Sequence, residues 1–166
     1  MMRLKIIGLM IAITIFAGCA SSLTSNNILP SAYYSDASQK RKTDWQLMVG
    51  SWYGSQKTRD GGTYIWIIRR DVNGRYKLEG KIVSPTGDVK KAVEVGEWGM
   101  GGTIYFTICK GWMNGSNFTP SDPTDPYYRD VYRILELTHE LIRYEHLDEG
   151  QSFTVRRVGE DFQMPE

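Results

Sequence analysis

Apolar and polar residues alternate with a period close to two through most of the chain after Leu47, in short runs separated by Gly, Asn, Asp or Pro. That period belongs to β-strands, whose successive side chains point to opposite faces, and the many aromatic and β-branched residues suit a pleated sheet. The runs are "LMVGSWYGSQ" (47–56), "TYIWIIRR" (63–70), "RYKLEGKIVS" (75–84), "VKKAVEVGEW" (89–98), "TIYFTICKGW" (103–112), "YYRDVYRILELT" (127–138), "ELIRYEHL" (140–147) and "QSFTVRRV" (151–158). Turn sequences such as "RDGG", "DVNG" and "SPTGD" stand between them, and one stretch, Met113 to Pro126, is long and irregular.

Short links between successive strands imply antiparallel hairpins, and a meander of about eight strands disposes of its two edges by closing on itself. The expected fold is therefore all-β, an antiparallel up-and-down barrel of about eight strands. Eight strands leave an interior that either packs solid or holds one small ligand. Strand phase names the residues that would line it. With Trp52 facing inward, Gly50 and Gly54 share its face and leave free volume, while Tyr76, Leu78 and Ile82 form one face of the third strand. Tyr105 and Tyr132 complete the expected lining, with Tyr hydroxyls and Arg69 or Arg143 orienting a small amphipathic ligand.

The region before the strands follows a different pattern. Arg3 and Lys5 precede an uncharged apolar run from Ile6 to Ala17, about a dozen residues, as in a secretory signal and short of the ~20 that span a bilayer. Ala17, Gly18 and Cys19 then resemble the lipobox of bacterial lipoproteins, with Phe16 in the place usually held by Leu. The resemblance implies removal of residues 1–18 and attachment of acyl chains, palmitate among them, at Cys19. Several chains on one residue give a stable anchor where one alone is marginal. Ala20 after the cysteine, rather than Asp, implies the outer membrane, with the protein facing the periplasm. Residues 19–43, rich in Ser, Asn and Thr, read as a flexible tether, within which "SDASQKRKTDWQLM" can form a short helix capped by Asp36 or Asp44. Residues 44–166 are the barrel domain.

Three fragments of the domain resemble lipocalins. "LMVGSWYG" carries the Gly-x-Trp of their first strand as Gly50 and Trp52, the tryptophan seated at the closed end of the barrel. "FTVRRV" places Arg156 or Arg157 where lipocalins pack an arginine across that tryptophan. "TDPYY" matches the Thr-Asp-x-x-Tyr ahead of a late strand. The domain is shorter than a lipocalin and no helix pattern follows its last strand, so small calycin barrels such as avidin are an equal match. The layout "GSWYG", "VGEWG" and "IYFT" also resembles a group of uncharacterised bacterial lipoproteins.

Charge and composition narrow the function. Without residues 1–18 the chain keeps 18 basic residues against 19 acidic ones, so no basic excess points to nucleic acid. Cys109 would then be the only other cysteine, and a lipidated Cys19 cannot pair with it; it reads as a small apolar strand residue. His139 and His146, seven apart in an extended segment, point to opposite faces and are expected at strand ends on the surface. Asn114, Asn117, Asp122 and Asp125 give the irregular loop oxygen ligands without EF-hand spacing. No nucleophile stands beside a base, and no cofactor motif is present. The expectation is a membrane-anchored, non-catalytic barrel without metal or cofactor, binding a small amphipathic, largely hydrophobic ligand. The alternative is an envelope assembly protein with a solid core that acts through contacts with a protein partner.

Overall fold

The computed structural model describes residues 31 to 165, and the burial of side chains from Asp36 onward. The signal-like segment and Cys19 lie outside the described residues. The first element is helix α1, Ser31–Met48, which occupies much of the stretch expected as tether and begins earlier than the short helix expected there, within residues 35–48. A Lys40–Asp44 pair one turn apart supports it, and no Gly or Pro interrupts it. It ends where Val49 donates to the Trp45 carbonyl and Gly50 takes φ +113°. That left-handed value suits glycine, and a Cβ there would stand 2.6 Å from the Arg157 guanidinium. The first strand therefore begins at Gly50 rather than Leu47.

Nine strands follow: β1 (Gly50–Lys57), β2 (Thr63–Arg70), β3 (Arg75–Val83), β4 (Val89–Gly101), β5 (Ile104–Asn114), β6 (Asn117–Pro120), β7 (Arg129–Leu137), β8 (Leu141–His146) and β9 (Ser152–Val158). Eight of them pair antiparallel in the closed order β1-β2-β3-β4-β5-β7-β8-β9, with β9 returning to β1. This is the closed eight-stranded up-and-down barrel expected from the alternation. The strand not foreseen is β6, cut from the stretch read as irregular. It folds back on the far half of β5, from Gly111↔Pro120 to Asn114↔Asn117, while β7 uses the near half. An Asx turn at Asp122 and a single 3-10 turn, Pro126–Tyr128, capped by Asp125, then lead into β7.

One end of the barrel is closed by a plug built from both ends of the domain. Met48 is fully buried, and the Trp45 ring stacks on Trp98 with centroids 4.2 Å apart. Trp52 is likewise fully buried and donates its indole N–H to the Met48 carbonyl at 3.0 Å. Arg157 lies across the Trp52 ring, 4.2 Å from its centroid, and donates to the carbonyls of Val49, Leu47 and His139. Of the two arginines considered for this place, Arg157 fills it; Arg156 lies outside, over Tyr53 and Phe162. Among the described residues no helix follows β9. The tail instead crosses the outer wall, where the Phe162 and Pro165 carbonyls accept from Arg69 and Lys81.

Candidate functional site

The inward faces of the strands do not fill the barrel. Above the Trp52 plug lies a cavity of about 190 Å³, and it opens at the opposite end into a vestibule of about 410 Å³. The cavity wall is largely aromatic: Tyr64 and Trp66 from β2, Tyr76 from β3, Tyr105 from β5, Tyr132 from β7, Tyr144 from β8 and Phe153 from β9. These rings brace one another. Tyr64 stacks on Trp66 at 4.9 Å, Tyr105 on Tyr132 at 5.2 Å and Tyr144 on Phe153 at 5.4 Å, while Tyr132 meets Tyr144 edge to face. Glycines on the same inward phase set the volume. A Cβ on Gly54 would stand 2.1 Å from the Trp66 ring, and one on Gly96 2.6 Å from Tyr76, so neither ring could hold its place against a larger residue.

Polar groups are confined to the two ends of this wall. At the floor Arg70 is 1% exposed, and its Nε and Nη2 donate to the Tyr105 hydroxyl at 3.2 and 3.0 Å. Its Nη1 has no acceptor, and it forms no ion pair among the described residues. At the mouth stand Glu94 of β4 and Asp130 of β7, which line cavity and vestibule alike. Glu94 accepts from the Tyr76 hydroxyl; Asp130 meets His146 Nε2 at 3.3 Å and Thr107 Oγ1 at 3.4 Å.

The protonation states follow from burial and from the carboxylates. Burial pushes the Glu94 carboxyl above its ordinary range, and the Asp130 charge adds to that, against the lowering effect of the Tyr76 hydrogen bond. Burial likewise raises Tyr64 to about 12, with Glu94 contributing, and holds the hydroxyls of Tyr76, Tyr105, Tyr132 and Tyr144 protonated well above neutral pH. Cys109 is pushed up to about 11 by burial first and by Glu94 second. The residue is 8% exposed, and its thiol is not an activated nucleophile.

The structure sorts the residues proposed from the sequence. Tyr76, Leu78, Tyr105 and Tyr132 come together around the cavity. Trp52 does not reach it: it belongs to the plug below, where Arg157 and Met48 cover it. Ile82 keeps the inward phase but sits beyond the cavity at the rim, 43% exposed, in a shallow groove with Gln56, Tyr64 and Phe153. Arg69 and Arg143 face outward, paired with Glu79 and Glu136, because both occupy the opposite phase of their strands; the interior arginine is Arg70. His139 is exposed in the β7–β8 turn, whereas His146 is half-buried at the mouth, not on the outer surface. Asp122 and Asp125 spend their carboxylates on local backbone turns, and no group of three His, Cys, Asp or Glu gathers about a metal-sized site among the described residues.

Glu94, Asp130, Trp66, Tyr144 and Phe153 were not foreseen at the site. A usable signal for the carboxylates was present: Glu94-Gly96-Trp98 and Asp130-Tyr132-Ile134 put an acid on the same phase as inward aromatic or aliphatic residues. The phase is lost elsewhere, where an extra residue interrupts the pairing, at Lys110 of β5 opposite Val95/Gly96 and at Leu135 of β7.

No family model and no curated protein matches the chain. Among solved structures, a lipocalin-like protein from Bacteroides uniformis matches at 15% identity, over 68% of this chain and 99% of the other, with a TM-score of 0.40. The strand pairing itself establishes the fold: an eight-stranded antiparallel barrel, closed at the α1 end and open at the other.

Proposed function

We propose that this protein binds one small molecule inside its barrel, without transforming it, while anchored through Cys19 to the outer membrane on its periplasmic side. The observation that carries the reading is the unfilled, tyrosine-walled cavity, closed below by the Trp52 plug and open above to solvent. Convergence of a few polar groups on a mostly aromatic pocket is the usual mark of a small-ligand site. The empty volume favours this over an assembly role in which a solid barrel acts only through its exterior. The hydroxyls and the thiol around the cavity all hold their protons more tightly than usual, which suits hydrogen bonding and does not suit nucleophilic attack.

Native mass spectrometry of the purified full-length chain tests the reading. A co-purifying small molecule is expected, released on unfolding; a mass that always equals polypeptide plus acyl chains would refute occupancy of the cavity. The anchor has a separate test. Cys19→Ser is expected to abolish incorporation of labelled palmitate, and labelling that persists would place the lipid elsewhere or remove it from the account.

A further inference from the structure

The two ends of the cavity differ in charge, and the difference defines the ligand. At the mouth, Glu94 and Asp130 face the interior, and no Lys or Arg pairs with either among the described residues; the nearest cationic candidate is His146, at 3.3 Å from Asp130. The vestibule above adds Asp148 and Glu149, so four carboxylates and one arginine, Arg129, line the approach. Carboxylates that focus through a low-dielectric opening raise the local concentration of cations. Below them come the faces and edges of five tyrosines, Trp66 and Phe153, a wall that attracts a cation through the ring quadrupoles.

The floor is different. Arg70 donates twice to the hydroxyl of Tyr105, a residue 2% exposed that lines the cavity, so the hydroxyl proton, without an acceptor among the described residues, is available to a ligand. Arg70 does not itself line the cavity, and Tyr105 stands between it and the ligand space. The floor therefore offers a hydrogen-bond donor rather than an exposed charge.

We propose that the barrel binds a compact organic ammonium compound, its cationic nitrogen held among the tyrosine rings beneath Glu94 and Asp130 and its other end toward the Tyr105 hydroxyl. This rests on the reading of the cavity as a small-ligand site and names the class of ligand. A volume of about 190 Å³ limits it to a small molecule carrying at most one ring or a short chain. The cation supplies what the mouth lacks, a counter-charge for a carboxylate held among rings.

The test uses three probes of nearly equal shape: 2-phenylethylammonium, 2-phenylethanol and phenylacetate, titrated calorimetrically into the purified full-length chain near neutral pH. The ammonium probe is expected to bind at least tenfold more tightly than the alcohol, and phenylacetate more weakly still. Glu94→Gln and Asp130→Asn, each checked for native circular dichroism, are each expected to weaken the ammonium probe about tenfold while leaving the alcohol within about twofold. If the alcohol or phenylacetate binds as well as the amine, the cation proposal is overturned and the cavity remains a ligand site, with Arg70 behind its floor governing any preference for the acid. If none of the three binds, the proposal is overturned too. A co-purifying molecule seen by native mass spectrometry would then keep the broader reading, and its absence would remove both.

Discussion

Replacing Arg157 by Ala should cost substantial stability at the closed end. The guanidinium donates to Val49 O at 2.8 Å, Leu47 O at 2.6 Å and His139 O at 2.5 Å, and it covers Trp52 at 4.2 Å. It thereby ties the end of α1, the β7–β8 turn and β9 to one another. A hydrogen bond from a charged donor contributes about 1.5–3 kcal/mol, and a cation–π contact about 0.5–2 kcal/mol. Arg157 is only partly buried, so water can reach some of the freed carbonyls, and its own burial and the nearby Arg70 charge hold its pKa below the ordinary value. At the low end of each range the three bonds and the ring contact come to about 5 kcal/mol, and rehydration of the freed carbonyls brings the loss for Arg157→Ala to about 3–5 kcal/mol. For a domain of this size that is roughly 10–20 °C in Tm. Arg157→Lys keeps the charge but has neither the planar face for Trp52 nor a fork to serve three carbonyls, and should recover only about 1–2 kcal/mol. Urea denaturation followed by tryptophan fluorescence measures both. A loss below about 1 kcal/mol for the alanine variant, or full recovery by lysine, would refute the argument that this fork closes the barrel.

The remaining predictions concern the cavity. Because burial raises the Glu94 pKa above its ordinary 4.5, the folded state holds that proton more tightly than the unfolded chain, and the ionised residue costs stability above its folded pKa. Glu94→Gln, which keeps an acceptor for Tyr76, should therefore be more stable than the parent at neutral pH, with the gap closing as pH falls toward the ordinary glutamate value. A gap constant from about pH 4 to pH 8 in urea melts would show that burial does not set this carboxyl. Gly54→Ala forces a Cβ to within 2.1 Å of the Trp66 ring and should cost about 1–3 kcal/mol in the same melts; a neutral result would mean that the ring moves freely. Cys109 lines the vestibule but is little exposed and has its pKa raised to about 11, so it should react with a disulfide reagent far more slowly than a free thiol, and faster as pH rises. Labelling at the rate of a free thiol would contradict its burial.

How far the sequence reaches can be seen residue by residue. Alternation alone places Tyr76, Leu78, Tyr105 and Tyr132 on inward faces, since side-chain direction in a strand is a local property with a period of two. Gly50 and Trp52 are legible through their resemblance to the lipocalin Gly-x-Trp, while the choice of Arg157 over Arg156 comes only from the structure. The same alternation says which face a residue takes but not at what height along the barrel. Trp52 and Ile82 have the inward phase, yet one lies below the cavity and the other above it, because height depends on strand stagger and closure. The helical stretch from Ser31 reads as tether for a related reason: its polar residues give no apolar stripe, and what anchors it is one turn, Trp45 to Met48, seated in a plug that exists only once the barrel has closed.

What the amino-acid order determines by itself is therefore the strand periodicity and the antiparallel links. What the tertiary structure alone decides is that the interior stays open, that Arg70 rather than Arg69 or Arg143 enters it, and that Glu94 and Asp130 meet at one mouth. These two acids lie on strands that are not neighbours, β4 and β7, and reach a common opening only through the curvature and register of a closed sheet. Charge separation between floor and mouth is thus a property of the barrel as a closed object, since no single strand carries both ends of it.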